Sequence, residues 1–123
     1  MNMILIAAAF GLAPIAIQAS PPAPVPAPEL SQENAALLRC SAAFALVSFG
    51  QASGQEASFK WPSIDPRGRE FFVRALARVM DDTGLDREAV AQLAQAEAQR
   101  LLDQQQVDAV MPACLLMLDG SGI

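Results

Sequence analysis

"RCSAAFALVSFG", residues 39–50, sets a cysteine into a run that is otherwise small or apolar. At the helical advance of about 100° per residue, Leu37, Leu38, Cys40, Phe44, Leu46, Val47 and Phe49 spread around most of the cylinder. A helix without a polar face has to be surrounded by other elements. The stretch therefore predicts a helix at the centre of a bundle, and it poses the question of what Cys40 does there.

The chain has 123 residues, room for one domain, with 53% hydrophobic and 17% charged residues. That balance supports a packed core. The net charge of −5 gives no counterion-release gain on a polyphosphate, so nucleic acid is excluded as a partner. Histidine and tyrosine are absent. The Ser–His and Cys–His nucleophile systems and imidazole metal sites go with them, so we expect no catalytic residues, no metal and no cofactor. Arginine outnumbers lysine and alanine is abundant, a composition associated with GC-rich bacterial genomes.

Residues 1–19, "MNMILIAAAFGLAPIAIQA", read as a signal peptide. Ile4 to Ile17 form an uncharged apolar run of signal length, interrupted by Pro14 and short for a membrane span. The expected location is periplasmic or secreted. A membrane enters only if the segment is retained as an anchor. Residues 20–30, containing "SPPAPVPAPE", are a Pro/Ala-rich linker of polyproline type.

The helical domain is expected over 31–120 as an all-α, small four-helix bundle. Ser31 caps helix one, which is expected to stop at Gly50. A polar loop follows, with Phe59 and Trp61 folded back over the core as a lid or offering a binding edge. Asp65 and Pro66 open helix two, whose stripe is Phe72, Ala75, Leu76, Val79 and Met80, and Gly84 stops it. Asp86 caps helix three, with Leu85 and Val90 in staple positions. The last helix is expected to hold Pro112 in its first turn and to end at Gly120.

Cys114, in "MPACLLML", is the only other cysteine outside the signal segment. There is no C-x-x-C spacing, and two cysteines in an oxidising compartment point to a disulfide, Cys40 to Cys114. In the chain-entropy model such a loop closure stabilises by about 4 kcal/mol before strain.

Two charges fall on apolar faces. Glu97 lies within the stripe Val90, Leu93, Ala94, Leu101, and Arg39 lies beside Ala35, Ala43 and Leu46. A buried charge needs a partner, so the expectation is a buried Arg39–Glu97 pair, with Arg69 as the alternative cation. Arg67, Arg74 and Arg78 are interleaved with Glu70, Asp81 and Asp82, which reads as an ordinary solvated face. "DDTGLD", residues 81–86, lacks calcium-loop spacing, and "GQASG", residues 50–54, is not a nucleophile elbow.

The plan is similar to that of the small periplasmic acid-stress chaperones, exported helical proteins with one disulfide between distant helices. The likeness is architectural and carries no residues across. The expected function is a non-enzymatic binding module in the bacterial cell envelope, its partner an unknown protein or apolar ligand. The alternatives are a periplasmic holdase-type chaperone and an apolar-ligand carrier with a cavity among Phe44, Phe49, Phe72, Leu76 and Leu116.

Overall fold

The computed structural model describes residues 29–123 and Gly11. The expected signal segment, and the linker as far as residue 28, lie outside the described residues. Four helices follow in order: α1 Gln32–Ala52, α2 Arg67–Thr83, α3 Arg87–Asp103 and α4 Val107–Gly120, with a short 3-10 helix, Glu56–Lys60, after α1. No strand occurs among the described residues.

α1 packs against all three other helices, most extensively against α2. Five consecutive residues, Cys40 to Phe44, are buried, which no helix on the outside of a bundle permits. α1 is also long and apolar enough to cross a membrane, yet here its apolar surface is spent on its neighbours. Cys40 and Cys114 are joined by a disulfide with their Cα atoms 5.2 Å apart, which fastens α4 to this central helix.

The core has two parts. The larger gathers Phe44, Val47, Phe71, Leu101, Met111 and Leu118 around the disulfide. The smaller joins Leu38, Val79, Val90 and Ala94, with Leu76 and Leu93 packed at its margin. Phe44 and Phe71 meet edge to face with centroids 5.2 Å apart, the arrangement favoured by the ring quadrupoles. Phe71, outside the expected stripe, is thus the deeply buried aromatic of α2, while Phe72 is half-buried.

The helix ends follow capping chemistry. Ser31 Oγ accepts from Asn34 N at 3.1 Å and Asp86 Oδ1 from Ala89 N at 2.8 Å. Gly84 ends α2 at φ 73°, the left-handed conformation that glycine adopts without a Cβ penalty.

Three expectations need correction. α1 runs through Gly50 to Ala52. A Cβ at Gly50 would overlap the Ser58 hydroxyl, so this glycine serves close approach of the 3-10 helix and not termination. Asp65 is not the cap of α2. The cap position is Pro66, and the Asp65 carboxylate pairs with Arg69 at 3.2 Å. Pro112 lies in the second turn of α4, not the first. Its missing N–H leaves the Asp108 carbonyl without a helical partner. Both residues are exposed, so water can take that place.

Candidate functional site

The loop after α1 is held by one side chain. Gln51 Nε2 donates toward the carbonyls of Ser58, Trp61 and Pro62 at 3.1, 3.3 and 3.0 Å. Gln51 Oε1 accepts from the backbone N–H of Ile64 at 3.1 Å, and the Ile64 side chain is buried. Sequence reasoning missed Gln51. Its only signal was a polar residue in the last turn of an apolar helix.

The two aromatics expected to act together differ in exposure. Phe59 stands 59% exposed, whereas Trp61 is half-buried against the core. Phe59 is therefore no part of a lid. Lys60 lies 5.7 Å from the Trp61 ring centroid and pairs with Asp108. The Lys60 hydrogen bond holds the Asp108 carboxyl below its ordinary range, against desolvation.

Trp61 instead joins residues from three helices. Together with Leu46 and Phe49 of α1, Leu102 of α3 and Val107 of α4, it lines an open groove of about 370 Å³. Phe49 is 66% exposed and Leu102 52% exposed, and both line this groove. The sequence contained a signal: Leu101 continues the stripe of Val90, Leu93 and Ala94, and Leu102 is rotated about 100° from Leu101 on the helix. Leu101 is buried and Leu102 is left outside.

A second groove, of about 660 Å³, opens between α1, α3 and the start of α4. Arg39, Glu97 and Arg100 are in its lining, between the aliphatic side chains of Leu30, Leu38, Leu93 and Val110. Arg39 Nε is 3.8 Å from Glu97 Oε1, but the side chains are 42% and 21% exposed. The two charges meet in the lining of an open groove and keep part of their surface exposed, so the pair is not buried.

The main partner of Glu97 is Arg100, three residues on, which donates from Nε at 3.0 Å and from Nη2 at 2.5 Å. That hydrogen bond, with the charges of Arg100 and Arg39, holds the Glu97 carboxyl below its usual value in spite of desolvation. The spacing "EAQR", residues 97–100, was the readable signal for this pair. Arg69, the alternative cation, is engaged with Asp65.

The arginines of α2 are each matched by an acid. Arg67 reaches Asp119 at 3.1 Å, Arg74 reaches Glu70 at 2.6 Å, and Arg78 reaches Asp82 at 3.0 Å. This face offers no open cationic stripe. The five residues expected around a ligand cavity do not enclose one. Phe44 and Phe72 share a separate groove of about 220 Å³, Phe49 belongs to the groove at Trp61, and Leu116 is 74% exposed. Among the described residues no cluster of three potential metal ligands occurs.

No family model matches the chain, and no match is found among curated proteins or solved structures.

Proposed function

We propose that this chain is a non-enzymatic binding module of the bacterial cell envelope that engages a partner protein through the groove at Phe49, Trp61 and Leu102. One observation carries the reading: two large apolar side chains, Phe49 and Leu102, are more than half exposed in one groove beside a tryptophan. Exposed apolar side chains scattered singly are normal, but a contiguous set rimmed by polar residues marks interaction surfaces. Aromatic residues in such a patch act as anchors on association. Gln51 supports the same reading, because a loop that is tied down loses little entropy when Trp61 is covered. The absence of histidine and tyrosine from the sequence weighs against catalysis. Export by residues 1–19 accounts for the use of both cysteines in a cross-link.

The test is site-specific photo-cross-linking in the native cell. A benzophenone side chain is introduced in separate strains at Phe49, at Leu102 and, as a control, at Arg74. The proposal expects the same discrete adduct from Phe49 and Leu102 and none from Arg74. No adduct from either groove position, or equal adducts from all three, would overturn it.

A further inference from the structure

The groove between α1, α3 and α4 differs from the Trp61 groove in chemistry. Arg39 and Arg100 place two guanidiniums there against the single carboxylate of Glu97, in a chain of net charge −5. The two cations are not equivalent. Arg100 spends Nε and Nη2 on Glu97 and Nη1 on Gln104. Arg39 has only the 3.8 Å approach of its Nε to Glu97, and among the described residues it donates no hydrogen bond. A guanidinium 42% exposed in an open groove, with its Nη donors facing no acceptor among the described residues, is free to take an anion.

We propose that this groove is a binding site for a monocarboxylate amphiphile of the medium-chain fatty-acid type. The carboxylate lies on the open Nη edge of Arg39, and the acyl chain runs between Leu38, Leu93 and Val110. Each half of the ligand answers a feature of the groove. A planar guanidinium edge takes a carboxylate in two parallel hydrogen bonds. Apart from Arg39, Glu97, Arg100 and Gln106 the lining is aliphatic, and it has no aromatic face, which suits a linear chain. The groove of about 660 Å³ falls within the roughly 300–1,000 Å³ of small-molecule sites.

A peptide is disfavoured here. Its amides would need partners, and the walls are side chains of helices whose backbone groups are already bonded to one another. A dianionic head is disfavoured by the Glu97 carboxylate beside Arg39.

Binding to the disulfide-bonded protein is measured by calorimetric titration with decanoate below its micelle concentration. Decanol supplies the tail without the charge, and acetate the charge without the tail. Decanoate is expected to bind at least tenfold more tightly than either. Arg39→Gln is expected to weaken decanoate at least tenfold, with Arg39→Lys, a cation without the fork, falling between. Amide shifts in the NMR spectrum should cluster at Leu38, Leu93 and Val110. The inference is overturned if decanoate does not bind, if decanol binds equally well, or if Arg39→Gln binds decanoate like the parent. Circular dichroism checks that each variant is folded. The Phe49 cross-linking result is independent of this outcome, since the two grooves share no residue.

Discussion

The side chain of Gln51 accepts the backbone N–H of Ile64 across 13 residues of chain, at 3.1 Å. The two N–H groups of the same amide are shared among three carbonyls of the intervening loop. Gln51→Ala leaves the Ile64 N–H without its partner in a part-buried place and removes the donor shared by the loop carbonyls, of which Ser58 keeps the Trp61 N–H. A net hydrogen bond contributes about 1 kcal/mol and an abandoned buried donor costs about 1–3 kcal/mol. We predict a loss of about 2 kcal/mol in urea unfolding, with faster hydrogen exchange at Ile64. Unaltered exchange there would show that the loop is held by something else.

The disulfide is the principal covalent restraint on the fold. It joins Cys40 and Cys114 across a sequence separation of 74, and removing such a bridge is expected to cost about 2–4 kcal/mol. In a domain of this size that lowers the melting temperature by at least about 8 °C. The Cys40→Ala/Cys114→Ala double variant checks it by thermal melting. A midpoint within a degree or two of the parent would mean that helix packing alone fixes α4.

Acid should weaken the Glu97–Arg100 pair within α3 and, to a smaller degree, the charge contact of Glu97 with Arg39 of α1. Glu97 has an ordinary value of 4.5 and is held lower in the folded state, chiefly by the Arg100 hydrogen bond. The unfolded chain therefore binds its proton first. The stabilisation is fully present above pH 4.5 and is lost as pH falls through the lower folded value. Asp108 acts in the same direction through Lys60. Glu97→Gln should cost about 0.5–1 kcal/mol at neutral pH, in keeping with a part-exposed pair, and should flatten the acid limb of stability against pH. An acid limb identical to the parent's would remove Glu97 from the explanation.

Packing of α2 on α1 turns on small residues and one ring. A Cβ at Gly68 would overlap the Ile64 side chain and crowd Phe44. Gly68→Ala gains helix propensity, yet we predict a net loss of about 1–2 kcal/mol from overpacking. Phe71→Ala should cost about 3–4 kcal/mol, and Phe72→Ala, from a half-buried site, clearly less. Equal losses at Phe71 and Phe72 would contradict the edge-to-face core.

Much of this fold was legible in the sequence because its signals are local. Ser31, Gly84 and Asp86 cap helices through atoms within three or four residues. The all-round apolar character of residues 39–50 required neighbours on every side. What was not legible depends on which distant surface arrives. Gly50 looks like a helix stop until Ser58 is found against it. Phe71 and Phe72 are equally apolar, and only the position of Phe44 chooses between them. Arg39 was identified as anomalous, but the groove that explains its exposure arises from α1, α3 and α4 together.

We propose an exported, cross-linked domain, and the intact mass of the protein from its native cells tests this most directly. Measured with and without reductant, the chain should begin after residue 19 and be lighter by two hydrogens before reduction. A chain that retains residues 1–19 and carries two free thiols would contradict it.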